Sequence, residues 1–456
     1  MFHEPRLRPP CARPGRRRAP TARLAACLLA LATTLPSTRG AVAAELADGT
    51  MLGPENWEAA KGLLPAEFLE CYRRGDFRHR IMERRLDIPG DDPVFREGLE
   101  ANKGRYDVGP EGSIIDKQTG KPPQHIYAWP FPTIDPADPN AAVKIVWNYF
   151  YAIYYGGNGH YRADLLMISR HGLDRSIEVD TYFKHYDGQH PRFRETIAGH
   201  EDLLTQQRAA VDSPVDVAGT VSLGWRYRGT QRDSLWTYVP ALRRVRQVSP
   251  ANRSDGFLGS DMAQDDGPFF DGKVEDFTWK LVGEQDLLVL FDLPSFEQEA
   301  QLTRLPEGGW RMTVPGGARL GFQVPDWKGA PWCPMQEVLI RRPHWVVEAT
   351  PKDRYYLYGK IVLRFDKEFF LGSYSSKHDW KGALITSFAG VRTNFIKVGP
   401  GELWGWVGGA VATAISWMKD RATAAGIMPG SGTPADSRIP LKSDLFSRDN
   451  LSRTGR

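Results

Sequence analysis

The apolar positions of this chain change period more than once between residues 1 and 456. An unbroken apolar run from Leu24 to Ala32 follows a stretch holding Arg6, Arg8, Arg13, Arg16, Arg17, Arg18 and Arg23, and small residues close it at Ala41-Val42-Ala43-Ala44. A basic start, a short apolar segment and a small-residue cleavage site predict a secretory signal peptide over 1–43, cleaved near Ala43 or Ala44. The run is nine residues long, about half of the ~18 to 20 that a membrane-spanning helix needs. Leu24-Ala25-Ala26-Cys27 resembles a lipoprotein cleavage site but lies inside the apolar run instead of after it, so general secretion is the better reading.

Past the leader, Trp57, Ala60, Leu63 and Leu64, then Phe68, Leu69 and Tyr72, have the spacing of short amphipathic helices. From Pro89 to Pro139 the text is rich in Pro, Gly and Asp, which predicts an extended, wrapping segment. Between Asn140 and Tyr155, Val143, Val146, Trp147 and Phe150 fall on one helical stripe, and Gly156-Gly157 is a stop signal. One central helix is expected there.

From Tyr161 onward the period becomes two. Ile177, Val179, Thr181 and Phe183 alternate with Glu178, Asp180 and Tyr182; Val221, Leu223, Trp225 and Tyr227 alternate with Ser222, Gly224, Arg226 and Arg228. Alternation of this kind predicts antiparallel strands with one apolar and one wet face. Similar runs, with turns such as Pro306-Glu307-Gly308-Gly309 between them, give roughly nine to eleven strands from Tyr161 to Phe395. No parallel strand-helix-strand rhythm is present, which leaves a sandwich, a barrel or a strongly curved open sheet around the 140–155 helix. Leu403 to Met418 is apolar, with Trp404, Trp406 and Trp417 near its ends; it predicts a helix, either in the core or facing a partner. The domain division expected is a leader over 1–43, a helical and loop-rich segment over 44–135, an antiparallel β domain over 136–400, and an apolar helix with an extended tail over 401–456.

Charge changes the picture once the leader is removed. It carries eight Arg, no Lys and one acid, so of 59 basic and 55 acidic residues the mature chain keeps a formal net charge of −3 in place of +4. Overall charge gives no support to a nucleic-acid partner. The mature chain is long enough to bury roughly 75% of its unfolded surface without a metal or disulfide framework. Cys71 and Cys333 alone survive cleavage; in an oxidising compartment they are a disulfide candidate, and two separately buried thiols are the alternative.

Sequence signatures of catalysis are missing: there is no Gly-x-Ser-x-Gly, His-Glu-x-x-His, phosphate loop, dinucleotide fingerprint or Cys-x-x-Cys. Asp255, Asp261, Asp265, Asp266 and Asp271 crowd one stretch without calcium-loop spacing, and His185, His190 and His200 match no zinc spacing. No metal site and no cofactor is expected. Arg243, Arg244 and Arg246 form a basic group able to hold a lipid phosphate or an acidic partner face, or simply a solvated strand end.

Trp225-Arg226-Tyr227, the run from Leu235 through Val239-Pro240 to Arg243-Arg244-Val245-Arg246, Gly259-Ser260-Asp261 and Asp265-Asp266 together resemble a bacterial envelope family catalogued as domain of unknown function 1329. Pro130-Phe131-Pro132, Trp147-Asn148, Trp345 to Pro351, Tyr356-Leu357-Tyr358-Gly359, Phe365 to Glu368 and Leu451-Ser452-Arg453 extend that resemblance over most of the chain from about Pro130. The same text is similar to outer-membrane lipoprotein-sorting proteins of the Lol-carrier type. The resemblance implies a mainly β (α+β) fold, a curved antiparallel half-barrel wrapped around one or more helices. It also implies a periplasmic carrier for a lipid or other hydrophobic molecule, with a resistance-nodulation-division type transporter as partner and no catalytic residues.

On that fold the apolar phase of the strands would line the concavity: Val221, Leu223, Trp225, Tyr227, Trp236, Tyr238, Phe277, Trp279, Trp345 and Val347. Two other classes stay in view. One is an envelope lipid or glycan hydrolase using carboxylates such as Asp261, Asp265 or Glu348. The other is an assembly or scaffolding factor docking through 403–418. Peripheral membrane contact is left open.

Overall fold

Period-two text becomes strand wherever the ladder can close on a neighbour, and here it builds one large sheet. The structure is a computed structural model that describes residues 46–296, 301–313, 319–395, 398, 399, 411–426 and 435–454. The predicted leader with its cleavage site, and 403–410 of the late apolar stretch, lie outside the described residues.

The main strands in chain order are β1 (Gly159–Ser169), β2 (Gly172–His185), β3 (Leu203–Ser213), β4 (Val221–Tyr227), β5 (Ser234–Val239), β6 (Arg244–Val248), β7 (Phe277–Asp292), β8 (Glu337–Pro351), β9 (Lys360–Asp366), β10 (Gly372–His378), β11 (Leu384–Gly390), β12 (Val411–Ser416) and β13 (Arg421–Gly426). They pair antiparallel in the order β6-β5-β4-β3-β2-β1-β13-β12-β11-β10-β9-β8-β7. Strands Gln301–Arg304, Trp310–Thr313 and Ala435–Ser437 extend from the start of β1. Met51–Leu52 and His79–Ile81 attach at the start of β8, the latter in parallel. Among the described residues no ladder joins β6 to β7, and the sheet is curved and open, one of the three architectures the alternation left and the one the resemblance implied.

The structure departs from the sequence reading or adds to it in three places. Phe277 to Asp292 is a single long strand, continued through a register shift at Leu281/Gly283. Strand β10, read Gly-Ser-Tyr-Ser-Ser-Lys-His, carries little apolar signal, yet it is buried between β9 and β11, and Ser376 and Ser387 of β11 both donate to Glu67. The apolar stretch expected as a helix is strand over Val411–Ser416, wholly buried and paired on both sides by β11 and β13. Its Val-Ala-Thr-Ala-Ile-Ser text fits a central strand covered on both faces, where no alternation is visible.

One face of the sheet is covered by helices. Helix α1 (Ala66–Arg74) sets Phe68 against Tyr374 of β10 at a 4.8 Å ring separation. Helix α2 (Pro93–Asn102) is capped by Asp92, which accepts from Val94 N at 2.8 Å. Helix α3 (Ala141–Tyr154), predicted over 140–155, packs Tyr149 against Phe365 of β9 at 5.1 Å. All three contribute to the largest apolar core. Helix α3 stops where expected: Gly157 takes φ +74°, and a Cβ there would approach Arg438 Cγ to 2.8 Å. The opposite face, over β3 to β5, is covered by the C-terminal tail through Leu441, Leu445, Phe446 and Leu451. Among the described residues no helix is long and apolar enough to cross a membrane.

Candidate functional site

The sheet under the end of α3 is not fully covered. Phe150, Ile153 and Tyr154 of α3, with Gly156 and Gly157, stand over Tyr161 of β1, Phe183 and His185 of β2, and Thr205 and Gln207 of β3; Pro268 and Asp271 close one side. Between them lies a cavity of about 110 Å³ within a cleft of about 750 Å³ that opens to solvent. Tyr154 itself is closely packed from Gly188, where a Cβ would fall 2.2 Å from Tyr154 Cβ.

Most of the wall is aromatic or aliphatic, and the few polar groups are concentrated. His185 is 6% exposed, its Nδ1 has no hydrogen-bond partner, and burial pulls its pKa down to about 4. It is a neutral imidazole with an unused polar atom. Asp271 accepts from Arg226 Nη1 at 2.9 Å and from Arg253. Arg226 also donates to Asp233 at 2.9 Å, and its guanidinium lies 5.4 Å from the Phe150 ring centre. The charges beside the cavity are therefore matched internally, and the wall is mostly apolar, with Thr205, Gln207 and the buried, unpaired Nδ1 of His185 as its uncharged polar groups.

None of the ten predicted lining residues lines this cavity. Val221, Leu223 and Tyr238 are buried, with Trp225 and Trp236 partly buried, under Phe446 and Leu451 of the tail on the other face of the sheet. Tyr227 packs in a small cluster with Tyr186 and Leu203. Phe277, Trp345 and Val347 are buried in the main core, and Trp279 packs against it. Of the ten, Phe277 borders a second, separate cavity. The expectation of a wet second face on β4 is also corrected: Ser222 and Arg226 are buried, because α3 and the segment around Asp271 cover that side.

Other candidates resolve in the same way. Arg243, Arg244 and Arg246 are exposed on and beside edge strand β6, with no side-chain partner among the described residues, and they are not part of the cavity. Cys71 and Cys333 are both free and buried in the main core, the thiol of Cys333 donating to Pro334 O at 3.3 Å. Asp261, Asp265, Asp266 and Asp271 pair with Arg421, Arg253, Lys377 and Arg226 respectively. The acidic cluster thus supplies counter-charges to buried bases. Asp265 lines the second cavity, and neither Asp261 nor Glu348 lines that cavity or the first. Among the described residues no three His, Cys, Asp or Glu converge as metal ligands.

Sequence reasoning did not single out Thr205 or Gln207, and it considered His185 as a metal ligand only to set that reading aside. His185 continues the phase of Phe183 on β2, and Thr205 and Gln207 alternate with Gln206 and Arg208 on β3, so residue polarity along either strand does not mark them as cavity wall. Phe183 was visible as an apolar position, but no local signal tells which face a distant helix will cover.

A family described as "Protein of unknown function (DUF1329)" matches residues 54–451. The chain belongs to this family. The DUF1329 match begins ahead of α1 and ends in the tail that covers β4, so it takes in both coverings of the sheet. Among solved structures, this DUF1329 chain is similar to a Vibrio parahaemolyticus domain named for outer membrane lipoprotein sorting (16% identity, 68% of this chain and 97% of that one, TM-score 0.43). It is also similar to a DUF1329 protein from Desulfovibrio piger (17%, 66% and 97%, TM-score 0.40) and to a LolA superfamily protein from Nitrosomonas europaea (12%, 68% and 98%, TM-score 0.38). No curated protein matches.

Proposed function

We propose that this protein is a non-enzymatic binding or shuttle protein for a lipid-like molecule, working in the periplasm after removal of its leader. The observation that carries the reading is the cavity between α3 and β1 to β3, apolar in most of its wall, with the unpartnered His185 Nδ1 to orient a polar group. Its volume of about 110 Å³ is of the order of cavities that accept one benzene ring, so it takes the end of an acyl chain or a small ring, not a whole lipid. Four to six buried methylenes contribute about 3 to 5 kcal/mol before binding costs. A transporter partner of the resistance-nodulation-division type rests on the family resemblance alone.

Native mass spectrometry of gently purified protein, followed by titration with a medium-chain fatty acid, tests the reading. Saturable binding is expected in the parent protein and its loss in Thr205→Trp, which fills the cavity. If no apolar molecule co-purifies and the fatty acid does not bind, or if Thr205→Trp binds it unchanged, the reading fails.

A further inference from the structure

A second cavity, of about 360 Å³, lies beyond the ion-paired wall formed by Arg253 and Asp265, and its character is opposite to the first. Phe277 and Tyr356 are its main aromatic surfaces; carboxylates and bases make up much of the rest. Several of those charges are already matched. Asp265 accepts from Arg253 Nε at 2.5 Å and from the Tyr356 hydroxyl at 2.8 Å. Asp233 is held by Arg226, which comes from the sheet at 2.9 Å. Lys352 Nζ donates to the Glu275 backbone carbonyl at 2.7 Å and lies 3.5 Å from Glu111.

Glu275 is different. It is 3% exposed, and neither oxygen of its carboxyl group accepts a hydrogen bond from another of the described residues. The nearest cation is Lys273 Nζ at 3.7 Å, whose 2.8 Å hydrogen bond goes to Tyr227 O instead. Burial pushes the Glu275 carboxyl above its ordinary range, as expected for a desolvated acid short of donors. A buried carboxyl group with two idle oxygens is costly, and its position on a cavity wall identifies where a donor would be received.

The rim repeats the imbalance. Asp276 and Asp353 are exposed at the cavity, and neither has an ion-pair partner among the described residues; Arg232 is the one lining base in the same condition. The acids are spread over the wall, and among the described residues none of them forms a metal-holding group of three. Acceptors at a buried position and at the exposed rim of one cavity, with aromatic side chains in its wall, fit an elongated organic cation better than a point charge.

We propose that this second cavity binds a small organic diamine, one ammonium group received by Glu275 at the buried end and the other by Asp276 and Asp353 at the rim. The assignment does not depend on what the apolar cavity holds. It is tested by calorimetric titration of the full mature chain with 1,4-diaminobutane, with glutarate as the anionic control and sodium chloride at matched ionic strength. Saturable binding of the diamine is expected, at least tenfold weaker in Glu275→Gln and in the double variant Asp276→Asn/Asp353→Asn, and unchanged in Thr205→Trp. The two rim acids are exposed, so their variant keeps the fold even if Glu275→Gln does not. The proposal is overturned if the diamine gives no saturable heat beyond the salt control, if glutarate binds in its place, or if the folded variants bind the diamine as tightly as the parent.

Discussion

Trp225 Nε1 donates to the carbonyl of Phe446 at 3.0 Å, tying strand β4 to the C-terminal tail. Lys184 Nζ makes the matching bond to Leu441 O at 2.6 Å. The tail is thus fastened to the sheet at two polar points around an apolar patch, and that patch is the one a sequence reading gives to a ligand.

If the tail is structural, truncating its buried ring is expensive. Phe446 is fully buried against Val221, Leu223 and Tyr238, and Phe446→Ala should destabilise by about 3 to 5 kcal/mol through lost transfer and the cavity left behind. Urea unfolding checks this. A loss below about 1 kcal/mol would mean that the tail is only loosely seated.

Asp271 neutralises two buried guanidinium groups, Arg226 and Arg253. Asp271→Asn keeps the shape but leaves both cations short of charge, a loss on the order of 3 kcal/mol or more. Chemical denaturation should show it, and Asp255→Asn, at an exposed position without an ion pair among the described residues, should be close to neutral.

Stability should peak near pH 6.5. Burial holds His79, His185 and His344 down to about 4, against about 6.5 when unfolded. Below pH 6.5 the unfolded chain therefore binds protons that the folded chain refuses, and stability is lost as pH falls toward 4. Glu337 acts in the opposite sense: burial and the nearby Asp292 push it up to about 8. Between its ordinary range and pH 8 the folded state holds an extra proton, so stability falls as pH rises through that window. Melting temperatures from pH 4 to 9 should trace both arms, and Glu337→Gln should flatten the upper one. An upper arm that persists unchanged in that variant would remove Glu337 as its cause.

The exposed arginines at the sheet edge invite a different measurement. Arg243, Arg244 and Arg246 have no side-chain partners among the described residues, so replacing all three with Ala should shift unfolding free energy by no more than about 0.5 kcal/mol per site. If they meet an anionic membrane surface, each contributes about 1 kcal/mol. Co-sedimentation with phosphatidylglycerol vesicles should then fall roughly a hundredfold in the triple variant. Equal sedimentation of the two proteins would leave the group as a solvated strand end.

The sequence by itself determined much of this protein. Alternation from Tyr161 onward specified antiparallel strands, because the pleat places successive side chains on opposite faces. The stripe Val143, Val146, Trp147 and Phe150 with Gly156-Gly157 specified α3 and its end, because helix periodicity and a left-handed stop are local properties. The resemblance identified the family that residues 54–451 match.

Only the tertiary structure decided which face of each strand does what. The apolar phase of β4 meets Phe446, more than 200 residues away, while Arg226 on its polar phase turns inward to Asp271 and Phe150. Alternation distinguishes two faces but says nothing about which distant segment will cover either. The same gap explains Val411–Ser416: a strand buried on both faces has no alternation, and its apolar run reads as helix until its neighbours β11 and β13 are in place. The cavity, with His185 in its wall, exists because α3 stops short over β1 to β3, a matter of how the helix is laid across the sheet.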